Sequence, residues 1–274
     1  MALKRMNEPA STARIQMDGI DIHVEGEGPQ TVVMIHGWPD TWRLWDAQVA
    51  TLKPHFRCVR FTLPGFDIRG PRRAHSLAEL VEFFRKVVQA TCADGKAILM
   101  VHDWGAVFGY QFAMKHPELV SKIVGVDIGD TVEPAFLRSL SGSAKLAIFV
   151  YQSWLAVAWR IGGSLGDRMT RWMMRSLEVP SDPALAGSCM NYPYYIQWTR
   201  THGSYANLSA VRPACPMLFI YGRRKPFLFH SPAWAQMLAR DPRNKVVPLD
   251  TRHWVMVEQP EAFNAAVLDW LRPA

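Results

Sequence analysis

The residue in this chain whose type and setting promise chemistry is Asp103. The stretch Ile98-Leu99-Met100-Val101-His102-Asp103-Trp104-Gly105-Ala106 runs an apolar strand into a carboxylate, a tight glycine-containing turn and then a helix. Such a turn lifts one side chain clear of a sheet edge. A carboxylate there attacks sp³ carbon and is left as an ester instead of carrying out ordinary acyl transfer, which points to epoxides and alkyl halides as substrates. The ester then needs a base. His253, in Leu249-Asp250-Thr251-Arg252-His253-Trp254-Val255, follows Asp103 by 150 residues and sits between the last strand and the last helix, from where a loop reaches the elbow. His36 and His102 flank strand ends and are expected to hydrogen-bond backbone. His36-Gly37-Trp38-Pro39 closes the third strand, so the backbone N–H groups of Trp38 and Trp104 are placed to hold the oxyanion formed as the ester is hydrolysed.

These groups need a scaffold that brings strand ends together. Alternation about Asp18-Gly19 predicts an opening hairpin, Ala13 to Met17 and Ile20 to Glu25. Strands at Thr31 to His36, Arg57 to Leu63, Ala97 to His102 and Lys122 to Asp127 then alternate with helices at Thr41 to Leu52, Ser76 to Ala90 and Ala106 to Lys115. Ser76 with Glu79 three residues on reads as a capping box. The βαβα order implies a mostly parallel sheet with helices on both faces and ligands beyond the carboxyl ends of the strands. From Thr131 to Arg212, Met- and Trp-rich helical stretches replace strands. The core pattern resumes with strand Pro216 to Tyr221, helix Ser231 to Ala239, strand Lys245 to Leu249 and helix Pro260 to Leu271. The expected organisation is a core in two parts, 1–130 and 213–274, with a helical cap inserted at 131–212.

Composition narrows the function classes. With 274 residues, 49% of them hydrophobic, the chain has the makeup of a soluble globular protein with a large core. No uninterrupted apolar run long enough to span a bilayer is present, and Met1-Ala2-Leu3-Lys4-Arg5-Met6 lacks a leader's apolar stretch, so no integral membrane association and a cytoplasmic location are expected. Cys58, Cys92, Cys189 and Cys215 form no C-x-x-C pair, so reduced thiols are expected in place of a metal site or disulfide framework. The net charge of +7 is spread over short groups such as Arg69, Arg72 and Arg73 or Arg223, Arg224 and Lys225. These read as solvated loops: no nucleic acid is expected, and at most weak attraction to anionic surfaces.

Taken together, His36-Gly37-Trp38-Pro39-Asp40, Pro64-Gly65-Phe66, His102-Asp103-Trp104-Gly105-Ala106 and Arg252-His253-Trp254 resemble the epoxide hydrolase branch of the α/β-hydrolase family, with haloalkane dehalogenases as close relatives. One departure is that Val101 stands where the family's elbow usually has Gly. The resemblance implies Asp103 as nucleophile, His253 as base, and two cap tyrosines that protonate the departing oxygen. Tyr151 looks like the first, and Asn191-Tyr192-Pro193-Tyr194-Tyr195 holds the second, Tyr194 being favoured over Tyr195. The acid that supports the base is displaced. After Met217-Leu218-Phe219-Ile220-Tyr221-Gly222, where the family usually supplies an Asp, comes Arg223-Arg224-Lys225-Pro226, with a cation at the acid position. The resemblance to dehalogenases moves the acid to the end of the preceding strand, to Asp127 first and Asp130 second, with little expected of Lys225. No cofactor or metal is implied, the partner being a small hydrophobic substrate. Trp154, Trp159, Trp172, Met173 and Met174 suit either an apolar pocket around it or packing. The implied activity is hydrolysis of a hydrophobic epoxide to a diol. The alternatives are haloalkane dehalogenation with the same machinery, and a degenerate hydrolase acting as a small-molecule receptor.

Overall fold

A computed structural model describes residues 12–205 and 207–272. The N-terminal hexapeptide read above for a leader lies outside them. The described strands are β1 (Thr12–Met17), β2 (Ile20–Glu25), β3 (Thr31–Ile35), β4 (Arg57–Phe61), β5 (Ala97–His102), β6 (Val120–Val126), β7 (Met217–Gly222) and β8 (Lys245–Leu249). They form one sheet in the order β1-β2-β4-β3-β5-β6-β7-β8. β1 and β2 run antiparallel to their neighbours, and all pairs from β4 to β8 are parallel. The helices are α1 (Asp46–Leu52), α2 (Leu77–Thr91), α3 (Trp104–Lys115), α4 (Pro134–Ser139), α5 (Gly142–Ile161), α6 (Gly163–Ser176), α7 (Tyr192–Thr199), α8 (Pro232–Ala239), α9 (Val255–Glu258) and α10 (Pro260–Leu271).

The two innermost strands run apolar from Val32 to Ile35 in β3 and from Ala97 to Val101 in β5 because both faces of the sheet are covered. Leu99 and Val101 of β5 point into one core with Phe84 of α2, Phe108 of α3 and Trp234 of α8. Ile98 and Met100, one step out of phase, join Val49 of α1 and Phe263 and Val267 of α10 on the opposite face. Truncating a side chain such as Leu99, which is fully buried, to Ala costs about 2–5 kcal/mol.

The helix expected from Thr41 splits into a 3₁₀ turn, Trp42–Trp45, capped by the Thr41 hydroxyl, and then α1. The predicted capping box forms: the Ser76 hydroxyl accepts from the Glu79 N–H, and the Glu79 carboxylate accepts from the Ser76 N–H. Between β6 and β7 the chain leaves the sheet for α4 to α7. α5 and α6 are separated by Gly162, and α6 opens on Gly163; their φ of 67° and 54° keep the two from running on as one helix. Asp130 holds both feet of this insertion: Oδ1 accepts from the N–H groups of Val132 and Glu133, and Oδ2 from that of Val211.

Candidate active site

Asp103 sits directly after β5 at φ 52°, ψ −128°, a conformation that a non-glycine residue adopts only under strain and that aims its side chain out of the sheet edge. The turn closes tightly because Gly37 lies against it; a Cβ there would press into the Asp103 carboxylate and the Trp104 N–H. The bulk of Val101, in place of the usual small residue, is accommodated by Gly109 one helical face away. A Cβ on Gly109 would stand 2.7 Å from Val101 Cγ1.

One carboxylate oxygen of Asp103 is held and the other faces the histidine. Oδ1 accepts from the Trp38 N–H at 2.6 Å, and the Trp104 N–H also stabilises the charged carboxylate. Oδ2 lies 3.4 Å from His253 Nε2. Burial alone would raise the Asp103 carboxyl, but hydrogen bonding and charge from His253 outweigh it and hold the group below its ordinary range. On the far side of the ring, His253 Nδ1 meets Asp127 Oδ2 at 2.5 Å. Burial works against protonating His253, yet the two carboxylates, Asp103 first, raise it to about 9.

Asp127 follows β6, also with positive φ, 64°, and is wholly buried. Its Oδ1 accepts from the Gly222 N–H at 2.9 Å and from the Lys225 ammonium. Desolvation would push this carboxyl up, but the Lys225 charge, then His253, drive it far below the usual carboxylate range. Lys225 is therefore not part of a solvated basic loop. Its side chain is buried against the acid, while Arg223 pairs with Asp250 and Arg224 with Glu258. Asp130, the other candidate acid, spends its carboxylate on the three backbone N–H groups described above.

The Asn191–Tyr195 cluster divides its side chains among separate tasks. Asn191 accepts from the Trp38 indole at 2.7 Å, and the Tyr192 hydroxyl donates to the Pro64 carbonyl at 3.1 Å. Tyr194 is buried edge-on against Trp38, Trp104 and Tyr151. Tyr195 turns towards Trp159. Two cavities of about 440 and 490 Å³ flank the carboxylate, and Asp103, Tyr151, Tyr194 and Phe229 line both. His253 and Trp38 complete the second, Trp104 and Tyr205 the first. Burial holds both phenols, Tyr151 and Tyr194, protonated to well above the ordinary tyrosine range. Trp154, Trp159, Trp172, Met173 and Met174 line neither cavity: Trp159, Met173 and Met174 are packed inside the insertion, and Trp154 and Trp172 face outward. The choice left open between pocket and packing thus goes to packing: three are inside the insertion, and the two exposed tryptophans lie against each other on its surface.

Sequence reasoning missed two contributors. Tyr205, whose buried hydroxyl has no partner among the described residues, stacks beside Trp104 and Phe108 in a stretch without periodicity. Asp40 is buried between the Ser181 hydroxyl and the Trp254 indole, joining the insertion to the histidine loop. Its only signal was its place after His36-Gly37-Trp38-Pro39. His36 and His102 do bond backbone. Nε2 of His36 accepts from the Leu63 N–H at 2.9 Å, and His102 Nε2 lies 3.1 Å from the His253 carbonyl; burial lowers the two rings to about 4 and about 3.

Residues 32–266 match the alpha/beta hydrolase family, and the chain belongs to it. Among characterised relatives, epoxide hydrolase 1 of Caenorhabditis elegans is 33% identical over 100 residues, which is 35% of this chain and 24% of that protein. The matched segment spans only about a quarter to a third of the first curated relatives, the C. elegans and mouse epoxide hydrolases. The AB hydrolase superfamily protein YfhM of Bacillus subtilis is 23% identical over 94% of this chain and 96% of its own length. A solved structure of an epoxide hydrolase from Bacillus megaterium superposes with a TM-score of 0.71 at 20% identity, covering 94% of this chain and 99% of that one, a likeness of fold.

Proposed function

We propose that this protein hydrolyses a hydrophobic epoxide to a diol through an ester on Asp103. The observation that carries the reading is a carboxylate nucleophile sharing one pair of cavities with two buried, protonated phenols, Tyr151 and Tyr194. Asp103 Oδ2 attacks an epoxide carbon, the ring C–O bond breaks, and the oxygen takes a proton from a phenol, because an unprotected alkoxide is a poor leaving group. The product is a hydroxyalkyl ester. His253 then takes a proton from water, and the hydroxide attacks the ester carbonyl while the Trp38 and Trp104 N–H groups hold the oxyanion. The diol leaves and the carboxylate returns. The phenol is restored by the proton that His253 gives up on esterification, and the imidazolium left by hydrolysis is the resting state, so the net change is epoxide plus water to diol.

Alkylation itself prepares the base. In the free protein His253 is held protonated by two carboxylates, up to about pH 9. Esterification removes the Asp103 charge, so the ring becomes a neutral base once there is an ester to hydrolyse. Asp127 remains to orient the ring and stabilise its charged form, and the helical insertion serves as the cap that carries the phenols.

The test is single-turnover chemistry on the full chain with an aryl epoxide and a matched haloalkane. His253→Gln should accumulate an adduct on Asp103, seen by intact-protein mass. Tyr151→Phe and Tyr194→Phe should each slow adduct formation about 10²-fold or more, leaving hydrolysis nearly unchanged. Halide release with unaltered alkylation in both Tyr variants would instead establish dehalogenation. Tight ligand binding without any adduct would make the protein a receptor.

A further inference from the structure

α5 is apolar on two opposite sides, yet only one of them is covered. Ala144, Leu155, Ala156, Ala158 and Trp159 face inward. Leu146, Val150, Trp154, Val157 and Ile161 recur at four- and three-residue steps and fall within an arc of roughly 80°. That arc faces solvent, with Leu146 62% and Val150 54% exposed. By contrast, the outward positions of α2 include Glu79, Glu82 and Gln89, as expected for a helix that simply meets water. The stripe broadens sideways. Trp172 of α6 packs on Trp154 with ring centres 4.9 Å apart, Leu165 lies on the same face of α6 as Trp172, and Trp198 meets Phe149 edge-on at 5.2 Å.

Cations rim this surface. Lys145 and Arg160 of α5 and Arg168 and Arg175 of α6 are exposed, and none of the four is in an ion pair among the described residues. The sole carboxylate of the two helices, Asp167, is turned to the N–H and hydroxyl of Ser188. An apolar stripe about 22 Å long with outward tryptophans and a basic margin fits the boundary of a bilayer, with indoles at headgroup level and cations on lipid phosphates. A second copy of the chain fits less well, because a twofold contact would set the same arginines against one another.

We propose that the α5–α6 face docks in the plane of an anionic lipid surface. This is an interfacial contact: no helix among the described residues is long and apolar enough to cross a membrane. Trp198 belongs to both the patch and the wall of the 440 Å³ cavity, beside Leu137 and Ile148. On the reading of the protein as an epoxide hydrolase, an apolar substrate dissolved in the bilayer would reach Asp103 through that wall.

Vesicle flotation of the full chain tests the contact directly. The protein should float with phosphatidylcholine vesicles containing about 30 mol% phosphatidylglycerol, at least about ten-fold more strongly than with phosphatidylcholine alone, and lose that preference in high salt. Leu146→Gln/Val150→Gln/Val157→Gln, and separately Arg160→Gln/Arg168→Gln/Arg175→Gln, should each weaken binding by more than about ten-fold with an unchanged melting temperature. Asp103→Ala should float like wild type, so the outcome is independent of the catalytic reading. Absence of flotation, or flotation untouched by the apolar triple variant, overturns the proposal. So does a dimer in sedimentation that the apolar variant dissociates while no vesicle binding is seen.

Discussion

Two adjacent parallel strands, β5 and β6, each end in an aspartate forced to positive φ, and the two carboxylates have opposite surroundings. Asp103 opens onto both cavities and has backbone N–H groups and one histidine for company. Asp127 is sealed under the sheet edge, with a backbone N–H, the same histidine and an ammonium group. Both are held ionised, but only Asp103 borders the cavities. If Asp103 attacks and Asp127 supports, as proposed, the difference teaches that the ends of the strands supply position, while burial and counter-charge decide the role.

Removing the attacking member should have the largest effect. Asp103→Ala is expected to lower turnover by at least about 10⁴-fold and to abolish any covalent adduct in intact-mass spectra. An adduct elsewhere on the chain would dissolve the comparison. Asp127→Asn should come next, with ester hydrolysis slowed about 10²–10⁴-fold, because the amide cannot compensate the imidazolium and favours the wrong tautomer. Rapid-quench measurements should show alkylation much less affected, and Asp130→Asn should act on thermal stability instead.

Lys225 tests the counter-charge. Taking away one partner of a buried pair costs about 3–5 kcal/mol, so Lys225→Met should melt at a lower temperature. In the protein that remains folded, the whole Asp127 charge falls on His253. The ring then stays protonated to higher pH, and the acid limb of ester hydrolysis should move upward by about one unit. Lys225→Arg should restore it. An unmoved limb would reduce the pair to packing.

A third carboxylate, in the turn after β3, sharpens the contrast at the smallest scale. Asp40 is nearly as buried as Asp127, but among the described residues its side-chain donors are the neutral Ser181 and Trp254; burial dominates and raises it to about 6. Its folded-state value lies above its unfolded one, so the native state binds the extra proton, and stability should fall as pH rises from about 4 to about 6, by on the order of 2 kcal/mol. Asp40→Asn should flatten that slope in denaturant titrations at several pH values while leaving activity close to wild type.

Much of the scaffold was legible because strand and helix periodicities in the core are clean. Ala97–His102 and Lys245–Leu249 read from the sequence as they stand in the fold. The position of Asp103 was legible for the same reason, being fixed by the strand before it and the helix after it. The insertion offered less. Its helices are apolar on several faces, so the pattern could not say that Trp159 points inward and Trp172 outward, nor which tyrosine of 192–195 meets the cavity. Lys225 was misread because sequence shows the sign of a residue but not its neighbour: a cation where an acid was expected looked like a loss, and in space it is bonded to Asp127, the carboxylate that meets His253.

The accommodation of Val101 by Gly109 has an evolutionary corollary. The room beneath the elbow is a fixed volume shared by two sites eight residues apart, so each constrains the substitutions the other accepts. A lineage that restores glycine on the strand frees the helix to gain a methyl group, whereas gaining the methyl first drives it into Val101. The order of the two changes therefore decides whether the intermediate is strained.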